Sequence, residues 1–398
     1  MEQTVMDGNI REYRTNFRLY PDDEQKMMLA KIFGCARLVY NKAYEWFLKD
    51  YAMYRLTKSS GTMPEGYVKY SFAGMCRKVT ELKKTDEYAF LKEVDSTALQ
   101  QKLKDFDTAV SRFFKGEANF PKPKSKINRQ TYRTVNPSVK IGDGGKYIYL
   151  PKVGHVRIKK TRDIGKIHSV TVIKERSGRY YISILHEALV KVLPEPVNDV
   201  VGMDAGIRNT CTFDDGSKVE SPKYLKRLLK RLRRMQRQLS RKQKGSKNRN
   251  KQRLVVARLY EKVTSQRTDF LHKLSTCIVR DNQTICIETL RIIDMVLKKS
   301  VEPCRRKRNA VNRCLYDAAL GEFLKMLEYK ADWYNRMLIK APADYKSSQT
   351  CHICGNINEV VSDIRIRQWD CPRCGTHHDR DVNAAINIKN ICTEMMAG

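Results

Sequence analysis

Cys351-His352-Ile353-Cys354-Gly355 and Cys371-Pro372-Arg373-Cys374-Gly375 are two copies of one pattern, Cys-x-x-Cys-Gly, near the end of the chain. Each cysteine pair sets two thiolates on one tight turn, and two such turns supply the four soft ligands of a tetrahedral Zn²⁺ site. The glycine after each pair allows the left-handed backbone that such a turn requires. Four unrelated buried thiols would not repeat this pattern. Four thiolates leave no position for water, so we expect one structural zinc ion bound by Cys351, Cys354, Cys371 and Cys374.

Three carboxylates stand where the fold can bring them together. Asp204 follows the apolar run Val200-Val201-Gly202-Met203, and Glu288 follows Ile285-Cys286-Ile287. Acids at the ends of adjacent buried strands meet at one edge of a sheet, and Asp381, at the start of a final helix, could join them. Three like charges at close range repel, and two hard divalent cations relieve that repulsion. We therefore predict that Asp204, Glu288 and Asp381 bind two Mg²⁺ ions and support phosphodiester cleavage.

An acid at a strand end is more often a cap or a loop charge, so each of these signals is weak alone. Asp379 is the rival of Asp381 for the third position. Because Asp381 begins the helix written Asp381-Val382-Asn383-Ala384-Ala385, we interpret Asp379 as an N-cap-like residue. We then expect Asp379 and Asn383 to hold the direct metal ligands in position without binding the metal themselves.

A strongly basic segment lies between Lys223 and Arg253, with fifteen Lys or Arg and no acid. A solvated helix face normally mixes both signs. Leucines and Met235 recur at helical spacing along it, which predicts a helix that packs on one side and exposes its cations on the other. Gly245-Ser246 interrupts the pattern and indicates a helical hairpin, whereas a targeting run would not need the leucine stripe. The predicted nucleic-acid contacts are Lys226, Arg227, Lys230, Arg231, Arg233, Arg234, Arg237 and Arg241, together with Lys122 and Lys124 after Phe120-Pro121.

The composition agrees with a polyanionic partner. The 398 residues include 77 Lys or Arg against 44 Asp or Glu, a formal net charge of +33. Basic side chains that meet phosphates release condensed counterions, so nucleic acid is the expected partner. No run of 18 apolar residues and no signal-peptide pattern is present, which argues against a membrane surface as the partner. A merely basic protein would not cluster its charge in this way.

The pattern along the chain divides it into distinct blocks. Tyr13 to Tyr20 alternates polar and apolar residues as a strand does, and Pro21 ends it. Helical spacing follows as far as Phe113-Phe114, and short strands with glycine-rich turns then suggest a small barrel or sandwich. After Pro194 and Pro196, strands alternate with helices in an α/β arrangement, and one helix is expected around Leu315 to Tyr334.

The ordered set Gly202-Met203-Asp204-Ala205-Gly206, Ile287-Glu288, the two cysteine pairs and Asp379-Arg380-Asp381-Val382-Asn383 resembles the TnpB family of transposon-encoded RNA-guided DNA endonucleases, the compact relatives of type V CRISPR effectors. The resemblance extends upstream to Leu99-Gln100-Gln101-Lys102-Leu103 and covers nearly the whole chain. Met203 replaces the commoner Ile or Val, and the stretch from Val301 to Tyr316 matches least.

The resemblance implies a multidomain α+β protein: an N-terminal β-barrel (wedge) with a helical recognition insertion, then an RNase H-like α/β RuvC nuclease domain with an inserted zinc ribbon. The expected blocks are a first wedge strand at 1–20, the helical insertion at 21–119, the wedge barrel at 120–197, the RuvC domain at 198–347 with a basic hairpin at 221–265, the ribbon at 348–378 and a last RuvC segment at 379–398. The family's acids correspond to Asp204, Glu288 and Asp381.

It further implies a guide RNA and a double-stranded DNA target beside a short motif, with the protein reading shape, phosphate and that motif. We expect a cytoplasmic prokaryotic protein without membrane contact, nucleoid-associated when bound to DNA, acting as a monomer or dimer on one RNA. Three alternatives stay open: a nuclease-inactive guided repressor, which would typically lack an acid, a CRISPR effector, and a DNA-transposing enzyme.

Overall fold

The computed structural model describes residues 10–60, 70–135, 139–189, 193–290 and 305–397. These residues form two compact units, one ending at Leu189 and the other comprising 193–397. Both helices and sheets occur in each unit, so the chain is a multidomain α+β protein.

The first unit combines a seven-stranded antiparallel sheet with three helices. Its strands are β1 (Ile10–Tyr20), β2 (Gln130–Val135), β3 (Lys140–Ile141), β4 (Tyr147–Leu150), β5 (Gly154–Lys159), β6 (Ile167–Lys174) and β7 (Tyr180–Leu189). Its helices are α1 (Asp23–Ser60), α2 (Phe72–Leu82) and α3 (Ser96–Phe114), with short 3-10 helices at Asp86–Glu93 and Asp143–Gly145.

The sheet is curved around one core but its ladder is open. The strand order is β2-β6-β7-β1-β5-β4-β3, so β2 and β3 are edges within the described residues, and the predicted barrel is a half-barrel. Phe17 and Leu19 of β1 point into the core, as the alternating sequence predicted, and the same core continues into Phe33 and Phe106 of the helices. The predicted end of the strand before Pro21 is confirmed.

The second unit is built on a five-stranded mixed sheet in the order β10-β9-β8-β11-β12. Its strands are β8 (Asn198–Asp204), β9 (Asn209–Phe213), β10 (Lys218–Glu220), β11 (Asn282–Glu288) and β12 (Met337–Ala341). The first three form an antiparallel meander, whereas β11 runs parallel to both β8 and β12. Parallel strands buried on both faces need apolar residues at successive positions, and Ile285, Cys286 and Ile287 are all buried.

Among the described residues, five α-helices and a short 3-10 helix at Glu359–Ser362 complete this unit. A small hairpin, β13 (Gln368–Asp370) with β14 (His377–Asp379), lies beside the cysteines. The helices are α4 (Tyr224–Ser240), α5 (Lys247–Asp281), α6 (Arg305–Ala318), α7 (Leu320–Trp333) and α8 (Arg380–Ala397). The break predicted at Gly245-Ser246 is confirmed, and Ser246 caps α5 by accepting a hydrogen bond from the Arg249 amide.

Two helix boundaries differ from the sequence prediction. The second arm of the basic hairpin does not end near 265, because α5 continues to Asp281 with Leu271, Ile278 and Val279 buried in the core of the sheet. The helix predicted around 315–334 is two helices, since Ala319 adopts a left-handed backbone with φ of 50°.

Parts of the earlier predictions lie outside the described residues: residues 1–9 of the first strand, 190–192, and 301–304 with Cys304 in the stretch that matches the family least. Within the described helices, none is both long and apolar enough to cross a membrane.

Candidate active site and metal centre

Asp204 and Glu288 end neighbouring parallel strands in the same register. Met203 of β8 is paired with Ile287 of β11, so the next residue of each strand is a carboxylate at the carboxyl edge of the sheet. The two acids predicted to meet at that edge therefore do so. Met203 and Ile287 are buried, and their pairing places the side chains of Asp204 and Glu288 at the same level along the sheet.

Asp381 reaches the same edge because α8 packs directly on β8. A Cβ at Gly202 would lie 2.2 Å from the Ala385 carbonyl oxygen, so only glycine permits this approach. The N-terminus of α8 is capped by Asp379, whose Oδ1 accepts hydrogen bonds from the amides of Asp381 and Val382, each 3.1 Å long. Lys218 of β10 donates to the other oxygen of Asp379 at 2.7 Å. Asp379 thus orients the helix start while Asp381 faces the pocket.

The three carboxylates line one pocket of about 420 Å³ together with Arg208, Arg367 and Arg380. Removal from bulk water, reinforced by Glu288 and Asp381, raises the pKa of Asp204 to about 7. Burial also raises the pKa of Glu288. Both shifts disfavour the charged form of an acid that is held away from bulk water, and for Asp204 the two neighbouring carboxylates add to this effect.

Asp381 is paired with an arginine that the sequence pattern does not reveal. Arg367, just before β13, donates from Nη1 to Asp381 Oδ1 at 3.1 Å. Nothing in the spacing of the sequence singles out Arg367, since only the packing of the cysteine module beside α8 brings it there. Arg380 adjoins Asp381 in sequence, so it could have been suspected.

The four predicted cysteines come together. Their sulfur atoms all lie within 4.8 Å of one another, with Cys351 3.7 Å from Cys374 and Cys354 3.6 Å from Cys371. Zinc–sulfur bonds of about 2.3 Å in a tetrahedron require edges of about 3.8 Å, so the cluster has the right size for zinc. Among the described residues no other group of three or more His, Cys, Asp or Glu is gathered this closely. Gly355 and Gly375 both have φ of 72°, the left-handed turn that the sequence predicted.

The surroundings shift the pKa values of two of these thiols in opposite directions: the pKa of Cys374 is lowered, whereas desolvation and hydrogen bonds with the other three cysteines raise the pKa of Cys354 to about 12. His378 is buried, and its Nε2 lies 3.2 Å from the sulfur of Cys351. Hydrogen bonding by Thr376 lowers the pKa of Cys374 to about 6. The thiolate is the form of cysteine that binds a metal, so a lowered pKa favours metal binding by Cys374.

Asn383 and Asn387 join the cysteine module to α8. Both are buried, and both donate from Nδ2 to the Thr350 carbonyl, at 2.7 Å and 2.6 Å. The Asn383 Oδ1 also accepts from the amide of His352 at 3.1 Å, beside Cys351. Asn387 follows Asn383 by one helical turn, a spacing that could have revealed it in the sequence. These contacts set the module against the helix that carries Asp381.

The basic hairpin has the predicted two faces. Leu225 and Leu232 of α4 are buried against Val256, Leu259 and Val263 of α5, so the leucine stripe packs within the hairpin itself. The α4 N-terminus is capped by Asp317 of α6, which accepts from the Leu225 amide at 2.9 Å. The eight cations predicted for this segment are all exposed, as are Lys122 and Lys124 in the first unit.

Three family models match the chain. They are described as "Helix-turn-helix domain" over residues 10–45, "Probable transposase" over 183–299 and "Cas12f1-like, TNB domain" over 321–388. In this structure the first range holds β1 and the first part of α1. A solved structure titled "Cryo-EM structure of the Cas12f1-sgRNA-target DNA complex" is similar in fold, with a TM-score of 0.56 at 12% identity, covering 97% of this chain and 99% of that one.

Curated relatives cover nearly the full length at higher identity. A protein of Streptomyces pristinaespiralis named "Putative RNA-guided DNA endonuclease" is 38% identical over 94% of this chain and 87% of its own. The Escherichia coli K12 protein named "Putative RNA-guided DNA endonuclease InsQ" is 32% identical over 94% of this chain and 90% of its own. The chain belongs to the TnpB family of transposon-encoded RNA-guided DNA endonucleases.

Proposed function

We propose that this chain is an RNA-guided DNA endonuclease in which Asp204, Glu288 and Asp381 form a two-Mg²⁺ hydrolytic site. The observation that carries the proposal is that three acids from β8, β11 and α8 line one pocket, where the pKa of Asp204 is raised to about 7. The strand order β10-β9-β8-β11-β12, with acids at the ends of β8 and β11, supports an RNase H-like RuvC domain.

The donor set fits hard divalent cations. Carboxylate oxygens are the ligands that Mg²⁺ prefers, and a bound cation would offset the burial and the neighbouring carboxylates that raise the pKa of Asp204. When bound, two such ions lower the pKa of a water nucleophile and stabilise the leaving oxygen. The chain's own part is to fix the acids: the β8–β11 register aligns Asp204 with Glu288, and the Asp379 cap aims Asp381 at them. Arg208 and Arg380 line the same pocket and are suited to a phosphate substrate.

The other components follow the same reasoning. The four cysteines are proposed to hold one structural zinc ion, which fixes the module whose Arg367 meets Asp381. Guide RNA and a double-stranded DNA target are the proposed partners, because relatives bear that name and the exposed α4 cations suit phosphate. The wedge and recognition blocks, roughly 10–197, would hold the RNA and read the short motif.

A guided repressor without cleavage is the second candidate, and the intact set of three acids in one pocket argues against it. A strand-transferring enzyme remains the third, since a matching family model is described as "Probable transposase" and strand transfer can use three acids on a similar sheet. Neighbouring DNA, either a CRISPR array or a transposon end, distinguishes a CRISPR effector from a transposon protein.

The test is to purify the chain from cells that express its flanking non-coding DNA and to sequence the RNA that co-purifies. The complex is then given a plasmid library with a matching target beside randomised bases, with Mg²⁺ or with chelator. Asp204→Ala should abolish cleavage, whereas the matched control Asp215→Ala, an exposed acid after β9, should leave it intact. Guided binding without any metal-dependent cut would favour the repressor, joined DNA products would favour strand transfer, and absence of a specific RNA would refute the guided function.

A further inference from the structure

The first unit contains a basic pocket that the hydrolytic site does not use. Its volume is about 470 Å³, and it lies among α1, α3, β2 and the loop that precedes β2. Five cationic side chains line it against one carboxylate, Asp105. The cations are Arg37, Lys102, Lys124, Arg129 and Arg133.

Part of this charge is balanced within the pocket and part is not. Asp105 accepts from Lys102 at 3.1 Å and from Arg133 at 3.3 Å, and Arg129 pairs with Glu175 at 2.8 Å. Within the described part of the chain, neither Arg37 nor Lys124 has an ion pair with a carboxylate. Arg37 donates to the neutral Gln130 side chain at 2.8 Å, and the Lys124 ammonium lies over the Tyr40 ring at 4.8 Å.

The loop that carries Lys124 is held in place before any ligand arrives. Asn41 of α1 binds both the amide and the carbonyl of Lys124, at 2.7 Å and 3.1 Å. Gln130 donates to the carbonyls of Ser125, Lys126 and Asn128. Lys102 is itself buried, with only 8% of its surface exposed. Although Lys124 reaches solvent, partial burial of its ammonium group and the charge of nearby Lys102 lower its pKa. Lys102 and Lys124 are thus fixed close together, and the five cations outnumber the one carboxylate that lines the pocket, an arrangement suited to an anion.

We propose that this pocket binds one nucleotide of a nucleic-acid strand, with its backbone phosphate received by Arg37, Lys102 and Lys124. The volume admits a whole nucleotide, and Ser125, Asn128 and Thr131 offer neutral hydrogen-bonding groups for the sugar and base. The inference rests on the proposed function, which supplies two sources of such a strand, the guide RNA and the DNA target.

The test uses Lys124→Gln and Arg37→Gln in the full-length chain, with Lys26→Ala as the matched control. Lys26 is an exposed lysine on α1 outside this pocket, paired with Asp23. Affinities are measured over a salt series for the co-purified RNA with free protein, for the target duplex with the RNA complex, and for single-stranded RNA and DNA ten-mers with free protein. We expect each pocket variant to weaken one of these by roughly tenfold and to reduce its salt slope by about 0.7–0.9.

The three binding measurements distinguish the guide RNA from the DNA target as the source of the strand. They also test this proposal independently of the proposed function. Weaker RNA binding assigns the pocket to the guide, and unchanged RNA binding with weaker duplex binding assigns it to the target. The ten-mers report on the pocket even if no guided cleavage is found. Thermal melting without nucleic acid should be unchanged or higher in Lys124→Gln, because repulsion from Lys102 is removed, whereas a purely structural lysine would lower it. Affinities equal to those of Lys26→Ala in every arm would overturn the proposal.

Discussion

At the scale of single residues, Asp204 links the site to the stability of the chain. Its folded-state pKa of about 7 lies above the ordinary value of 3.8, so the metal-free folded state binds the proton more tightly than the unfolded state does. The stability from this proton is complete below about pH 4 and is lost as pH rises through 7. The loss amounts to at most a few kcal/mol, roughly 1.4 per pH unit.

We predict that Asp204→Asn, which cannot ionise, removes this loss in chelator. Urea unfolding should find the variant more stable than the wild type at pH 8 and equal to it at pH 4, and Mg²⁺ should stabilise only the wild type at pH 8. The control Asp215→Asn has the opposite sign, because hydrogen bonds from Ser217 lower the pKa of Asp215. Parallel pH curves for the wild type and Asp204→Asn would contradict the prediction.

Asp379 illustrates how one residue can be assigned from sequence while its partner cannot. The expected start of the final helix at Asp381 suggested that Asp379 is a cap, and Asp379 accepts hydrogen bonds from the amides of Asp381 and Val382. The ion pair with Lys218 had no signal, because it depends on where β10 lies beside α8. We predict that Asp379→Ala destabilises the chain by about 1 kcal/mol and slows cleavage, whereas Asp379→Asn retains the cap and most of the stability. Equal losses in both variants, measured by urea unfolding and initial rate, would place the effect in the ion pair instead.

At the scale of elements, the site depends on contact between α8 and β8. We predict that Gly202→Ala destabilises the second unit by about 1–3 kcal/mol and reduces cleavage severely, since the new methyl group would meet the Ala385 carbonyl. The control Gly34→Ala lies in α1 with nothing within 4 Å of the added atom. It should be neutral or stabilising by up to about 1 kcal/mol. Thermal melting and cleavage rates of the two variants decide the matter.

The cysteine module should act as a second positioning element. Without zinc, no ion would bridge the sulfur atoms, two pairs of which lie 3.6–3.7 Å apart. The turn that places the His352 amide against Asn383 would then loosen. We predict that Cys374→Ser or a strong chelator abolishes the bound zinc and lowers cleavage at saturating Mg²⁺, while RNA affinity changes less than twofold. Elemental analysis measures the zinc, and full activity in zinc-free protein would refute a positioning role.

Elements were predictable where the signal was local. The alternation in β1 and the Gly245-Ser246 break are written in neighbouring residues, and both were found. The left-handed Ala319 between α6 and α7 was not foreseen, because alanine has no preference for that backbone and only tertiary packing imposes it. The sequence also did not predict that α5 extends to Asp281. The second half of this helix is buried against the sheet and lacks the basic pattern by which the first half was recognised.

At the scale of the whole molecule, a net charge of +33 favours association with a polyanion, and the distribution of that charge determines which contacts can form. The basic hairpin could be located from the sequence, because its fifteen Lys or Arg lie in one segment that contains no acid. Of the five cations in the basic pocket of the first unit, the sequence indicated only Lys124, because these lysines and arginines come from four separate segments. Charge that the chain gathers only by folding has no signature along the sequence.

The last prediction separates local contact from overall charge. Lys226, Lys230, Arg233 and Arg237 are exposed on α4, and replacing all four by Gln should reduce the slope of log affinity against log salt by about 3–4 on duplex DNA, if each meets a phosphate. The matched control replaces the exposed Lys26, Lys49, Lys92 and Lys104 of the first unit, which removes the same charge. Binding of the RNA complex to a cognate duplex is measured from low to physiological salt. Because the leucine stripe packs inside the hairpin, neither set should alter thermal melting by more than a few degrees. Equal slopes for the two sets would mean that net charge alone, and not the hairpin, governs binding.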